Sequence, residues 1–255
     1  MESAASGRRR SIPRVKPAEF EDRMTLVEHL DELRTRIIFT LVALGAAFGL
    51  CFWQDNLLLD IAKAPLPEDI NLVTLKPTEP FFTTVEVSAY GAFVIAMPVV
   101  VYQLWAFILP AFSPRERHAV RPFLFAMPFL FLAGIAFAYF VVMPVAVDFL
   151  LSFNESEFDV QLRANEYFSF FGLFMVAMGL LFQIPVAMLS LTRLDIVSAD
   201  WFAKNRRYAI FIIAVLSAAA PGGDPVSMFM IMIPLILLYE ASILIDRRFG
   251  HPIDD

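Results

Sequence analysis

The chain has 255 residues, 58% of them hydrophobic and only 18% charged, with a formal net charge of −6. A mean hydropathy of +0.66 and 27 phenylalanines exclude an ordinary soluble domain, in which apolar residues run to roughly 45–50%. Long neutral blocks between short polar stretches read instead as an all-α polytopic membrane protein.

Taken in chain order, Met1–Arg23 is expected to be a disordered cytoplasmic tail. Its "GRRRSIPRV" has the basic character of an export signal, but a signal peptide sets its apolar core directly after the basic residues. Here a polar stretch intervenes. Residues 24–36 follow as a short amphipathic helix at the inner membrane surface. Thr25 and Glu28 fit a capping box, and Val27, Leu30, Leu33 and Ile37 repeat at helical spacing. Six apolar segments then make a transmembrane domain over residues 37–246: Ile37–Trp53, Val87–Leu109, Phe123–Leu151, Tyr167–Leu191, Tyr208–Ala220 and Met228–Ile245. Pro98, Pro128, Pro144, Pro185 and Pro234 fall inside five of them, so the helices are expected to be bent rather than broken. The fifth segment offers roughly 20 Å of helix at 1.5 Å per residue, against a bilayer core of about 30 Å. It forms a short hairpin with the sixth through "APGGDP". A cytoplasmic tail, residues 247–255, ends the chain.

The basic residues orient these spans. Arg8, Arg9, Arg10, Arg14, Lys16, Arg23, Arg34 and Arg36 precede the first; Arg115, Arg117 and Arg121 lie between the second and third. Arg193, Lys204, Arg206 and Arg207 separate the fourth and fifth, and Arg247 and Arg248 follow the sixth. The alternate loops hold only Lys63, Lys76 and Arg163 of the 20 Lys and Arg. Both termini are therefore expected in the cytoplasm.

The threshold segment "MTLVEHLDELRTRI" is rich in acid for a site beside an anionic leaflet, which favours bases. An ordinary interfacial helix explains part of it, since Glu32 and Arg36 make an i,i+4 pair contributing about 0.2–0.5 kcal/mol. The acid excess points instead to a cationic partner. "HLDELRTRI" resembles the N-terminal signature of the TatC family, the receptor subunits of the twin-arginine protein translocase. "APL" at 64–66, "PFF" at 80–82, "YQLWAFILPAF" at 102–112, "RER" at 115–117, "GIAFAYFVVMP" at 134–144, "FQIPVAM" at 182–188 and "NRRY" at 205–208 look like further blocks of it. The resemblance implies a kinked, concave bundle of six helices, with helices five and six short, in the plasma membrane. It implies docking of the paired arginines of signal peptides on folded cargo, association with TatA-like and TatB-like single-span subunits, a homo-oligomeric assembly, and no nucleic-acid partner.

By the same resemblance Glu32 and Glu116 match the family's signal-peptide-binding acids. Carboxylates suit that task because a guanidinium presents a planar donor fork that two oxygens accept, whereas lysine is a point charge. Arg34 and Arg117 either hold these acids in place or meet an acidic partner. Phe107 and Tyr139 match family positions linked to function, although aromatic residues inside spans commonly serve packing. Pro65 and Phe81, placed in the first periplasmic loop, are expected to build an outer cap with Val160–Glu166. Gln183 stands where the family often has a glutamate; its neutral amide bonds either a neighbouring span or a passing partner. Asp224 matches a family acid in the last hairpin, and Glu240 lies near the cytoplasmic end of the last span.

A secondary transporter of a small molecule is the alternative from another class, but no internal repeat or matched pair of broken segments is evident. An intramembrane protease would need a second aspartate to partner Asp224. His29, His118 and His251 are scattered, the single Cys51 builds no metal cluster, and no phosphate-binding glycine loop occurs. The chain is expected to be no enzyme and to need no metal or cofactor.

Overall fold

A computed structural model describes residues 26–67, 70–108, 114–153, 157, 161–193, 196–220 and 224–249. The expected tail over residues 1–23, the capping Thr25, the centre of the "APGGDP" hairpin and the end of the chain lie outside these residues. Ten helices follow in order: α1 (Leu26–Trp53), α2 (Asp55–Lys63), α3 (Glu79–Ile108), α4 (Pro114–Phe137), α5 (Met143–Ser152), α6 (Ala164–Leu181), α7 (Ile184–Arg193), α8 (Ala199–Lys204), α9 (Arg206–Ala219) and α10 (Pro225–Phe249). Five stretches are long and apolar enough to cross a membrane: His29–Trp53, Glu79–Phe107, Phe125–Ser152, Ala164–Thr192 and Pro225–Arg248. The sixth candidate, α9, has 14 residues and spans about 21 Å.

The threshold segment and the first apolar run form one continuous helix, α1, with no break between them. Proline shapes the others in three ways. Pro98 and Pro234 sit inside unbroken helices. Before Pro144 the chain widens into a π-helical stretch, Ala138–Val142, in which Met143 N–H bonds the Ala138 carbonyl five residues back. A proline ring clashes with the carbonyl four residues before it, and an inserted π-turn relieves that clash without ending the helix. Pro185 acts differently, and here the expectation of an unbroken fourth helix fails. The chain leaves α6 at Phe182, and Gln183 N–H bonds the Leu180 carbonyl in a tight turn. Helix α7 restarts with Pro185 in its first turn, where a missing N–H costs nothing.

Helix α6 occupies the centre. Over half of the α6–α7 span is buried, against 11% for α1. Tyr167, Phe168, Phe174, Met175 and Met178 of this helix share one buried cluster with Ala138, Val142 and Met143, and with Ile231, Leu235, Tyr239 and Ile243 of α10. Small residues let α6 approach its neighbours closely. A Cβ at Gly172 would lie 2.0 Å from the Tyr90 ring of α3, and one at Gly134 of α4 would lie 2.7 Å from the Met178 carbonyl. Helix α9 packs against α10 and α8 through Ile213 and Ser217, and its other faces expose Phe211, Ile212 and Val215.

Two ends of the bundle matter below. The near end carries the start of α1 and the end of α3. The far end carries α2, the start of α3, the end of α5 and the start of α6. At the far end the segments before α3 and before α6 are stitched together: Val73 N–H bonds Leu162 O and Ala164 N–H bonds Val73 O, both at 2.9 Å.

Gly172→Ala forces the new methyl into the Tyr90 ring and, as an overpacking change, should cost about 1–3 kcal/mol. A drop of several degrees in the thermal midpoint of the purified protein is expected. Gly45→Ala is the control, since a Cβ there meets nothing within 4 Å.

Candidate functional site

Glu32 sits on the second turn of α1, on the face turned toward the end of α3. It is mostly shielded, with 17% of its side chain exposed, and Arg36 one turn on is 23% exposed. Arg36 Nε donates to Glu32 Oε1 at 2.9 Å and its Nη2 closes on the same oxygen. Arg36 Nη1 donates across to Gln103 Oε1 of α3 at 3.1 Å. The second carboxylate oxygen, Glu32 Oε2, is buried without a hydrogen-bond partner among the described residues, and His29 Nδ1 lies 3.9 Å from it. The His29 ring in turn stacks on Phe107, centroids 4.2 Å apart and planes 13° from parallel. One polar cluster, built from α1 and the last two turns of α3, thus fixes the carboxylate between an aromatic stack and a guanidinium. Beside it opens a hollow of about 480 Å³ lined by Asp31, Glu32, Thr35, Arg36, Phe39 and Gln103.

Among the expected site residues, Glu32 and Phe107 are brought into this cluster, while Arg34 is exposed on another face of α1. Glu116 and Arg117 fall in the first turn of α4, which begins a few residues after α3 ends; their side chains lie outside the described residues.

The remaining residues are distributed through the bundle. Pro65 follows α2 at the far end. Phe81 is a correction: it belongs to the first turn of α3 rather than to a loop, and it is 60% exposed. Tyr139 Oη donates to the Ile61 carbonyl at 3.0 Å, and Tyr167 Oη donates to the Ala62 carbonyl at 2.7 Å. Both therefore hold the C-terminal end of α2, where helix carbonyls run short of backbone donors; Ile61 O also accepts from Ala64 N–H at 3.4 Å. Gln183 Nε2 donates to Met127 O of α4 at 3.2 Å and to Gly179 O at 3.4 Å, so its amide joins a neighbouring span. Asp224 caps α10, accepting from Ser227 N–H at 2.8 Å. Glu240 pairs with Arg206 at the start of α9, at 2.9 Å.

Three features escaped the sequence reading. Gln103 stands inside the quoted "YQLWAF" block, yet its partner is 67 positions away. Glu79 is buried, accepts from the Leu75 and Lys76 amides at 2.7 and 3.1 Å, and meets Arg163 at 2.7 Å. Within α3, Glu86 accepts from Tyr90 Oη and Asn165 Nδ2 at 3.1 and 3.3 Å. An acid directly before Pro80 at a helix start was the available signal for Glu79.

A helical bundle with several membrane-length apolar stretches defines a polytopic membrane protein, here with a shielded carboxylate held at one end. Comparison with known proteins gives the family. The family model for TatC, the Sec-independent protein translocase protein, matches residues 28–234. The TatC protein of Koribacter versatilis is 37% identical over 228 residues, 86% of this chain and 84% of that one. That of Aquifex aeolicus is 36% identical, over 88% and 95%, and the chloroplastic protein of Arabidopsis thaliana is 36% identical, over 89% and 67%. A crystal structure of a twin-arginine translocase receptor, TatC, superposes with a TM-score of 0.76 at 35% identity, covering 88% of this chain and all of that one. The chain belongs to the TatC family.

Glu79→Gln removes the buried anion that Arg163 faces, leaving it, among the described residues, only the exposed Glu166 at 3.1 Å, and weakens acceptance from two backbone amides. The far-end stitch is expected to loosen. Limited proteolysis should then cut within residues 64–78 faster than in the wild type, with little change at the near end.

Proposed function

We propose that this protein is the receptor and scaffold subunit of a twin-arginine translocase, holding the signal peptides of folded cargo by their paired arginines. The observation that carries the reading is Glu32: a shielded carboxylate at the near end, clamped through one oxygen, with the other buried and without a hydrogen-bond partner among the described residues. Glu116, on the α4 turn entering the same end, is the second acid of the pair. Phe107 positions His29 beside Glu32, and Arg34 and Arg117 set the local charge. In this reading α9 is the short fifth span of six, the near end and both termini face the cytoplasm, and the bundle is kinked and concave. The basic residues at the near end and between α7 and α9 support that orientation. The far-end stitch, with Pro65 and the exposed Phe81 beside it, forms an outer cap. The peptide's apolar core lies along the bundle. TatA-like and TatB-like single-span subunits associate along α9 and α10, where a short helix thins the membrane, several copies of the chain assemble, and the proton-motive force drives transport.

A hydrogen bond to a charged group contributes about 1.5–3 kcal/mol, so losing one lowers affinity by about tenfold or more. Purified full-length protein is expected to bind a twin-arginine signal peptide at least about tenfold more tightly than its lysine-pair counterpart. Glu32→Ala and Glu116→Ala should each reduce arginine-pair binding by a similar factor. Equal binding of the two peptides by the wild type would defeat the proposal.

A further inference from the structure

Glu32 already holds a guanidinium. Both Arg36 nitrogens that reach it fall on Oε1, while Oε2 is buried with no hydrogen-bond partner among the described residues and with His29 Nδ1 3.9 Å away. A guanidinium meets a carboxylate best with two nitrogens on two oxygens. The resident pair is therefore incomplete, and the unsatisfied buried oxygen favours any donor that can complete it. Arg36 is also tied elsewhere, through Nη1 to Gln103 Oε1 at 3.1 Å. That bond survives if Arg36 releases the carboxylate, and Asp31 lines the same hollow of about 480 Å³, offering the freed guanidinium a second anion.

We propose that Arg36 is a resident guanidinium which an incoming arginine displaces from Glu32, and that Arg36 thereby sets how strongly a cation must bind before the site retains it. The inference rests on reading Glu32 as the docking carboxylate. The exchange keeps charge balanced, since one guanidinium leaves the anion as another arrives. Competition of this kind weakens every incoming cation by the same factor. It leaves the ratio of arginine-pair to lysine-pair binding to the geometry of Glu32 itself. The weaker, lysine-bearing ligand is pushed below the concentration at which the site fills, so selectivity appears in occupancy.

The test uses full-length protein in lipid nanodiscs and measures binding of a fluorescent twin-arginine signal peptide and its lysine-pair counterpart. Wild type is compared with Arg36→Lys, which keeps the charge but loses the fork, and with Arg36→Gln. Arg36→Lys is expected to bind both peptides about threefold or more tightly than wild type, with their ratio unchanged, and Arg36→Gln at least as tightly. If only Arg36→Gln tightens, the effect is charge removal and the inference is overturned. It is overturned equally if both variants bind more weakly, because Arg36 then positions Glu32. Should Arg36→Lys not remain monodisperse, Arg36→Gln in about 1 M salt decides, where the screening length falls to about 3 Å. Tightening that persists there supports exchange at contact, and tightening that vanishes overturns it. Failure of the receptor reading shows separately, as wild-type protein that does not distinguish the two peptides.

Discussion

A backbone carbonyl that loses its helical partner in apolar surroundings must find another donor within the protein, because no water is there to supply one. Much of this structure follows from that requirement. Where the turn at Phe182–Gln183 diverts the Gln183 N–H to Leu180, the side chain of the same residue donates to the bypassed Gly179 carbonyl and to Met127 of α4. Tyr167 serves the Ala62 carbonyl of α2, while Tyr139 and Tyr239 add a second donor to the Ile61 and Phe202 carbonyls, which also accept from Ala64 N–H and Asn205 N–H. Each donor lies on a different helix from the carbonyl it satisfies, apart from the short-range bond of Gln183. The bonds that complete one helix therefore also fix its neighbour, and tertiary order at these points comes from helix ends and breaks.

The near-end cluster obeys a different rule. There a charge is held close to an apolar layer, and such a group is stable only when paired and hydrogen-bonded. Arg36 and Gln103 supply the pairing, and the His29–Phe107 stack excludes solvent from one side. The arrangement leaves Glu32 rigid, shielded and only half satisfied. That combination sets it apart from the Arg247–Asp200 ion pair, whose side chains are 49% and 86% exposed. The cluster also explains why α1 extends beyond membrane length: the first turns are needed to reach the end of α3.

Much of the fold was legible in the residues because apolar blocks of membrane length have few alternative readings. The helix ends and breaks were less so. Pro185 and Pro144 look alike in sequence, yet one restarts a helix after a tight turn and the other follows a π-turn. Within the site, Glu32 and Phe107 were found through short motifs. Gln103 was quoted within such a motif and passed over, since a lone glutamine near a span end reads as interfacial. For Gln183 two readings were open, and the bond to Met127 O selects the one with a neighbouring span. Arg163 looked like an isolated base in an acidic loop. Its link to Glu79 joins segments with no local pattern in common, which one chain read in order cannot reveal.

That link also bears on the order of assembly. Glu79 precedes Arg163 by 84 positions, so at about 5–20 residues per second a ribosome needs on the order of ten seconds to deliver the base after the acid. Throughout that interval the carboxylate has only its two backbone amides, and Val73 has no strand to pair with. The link between these two segments can therefore form only once the start of α6 has been made, the same helix that carries Gly172 against Tyr90.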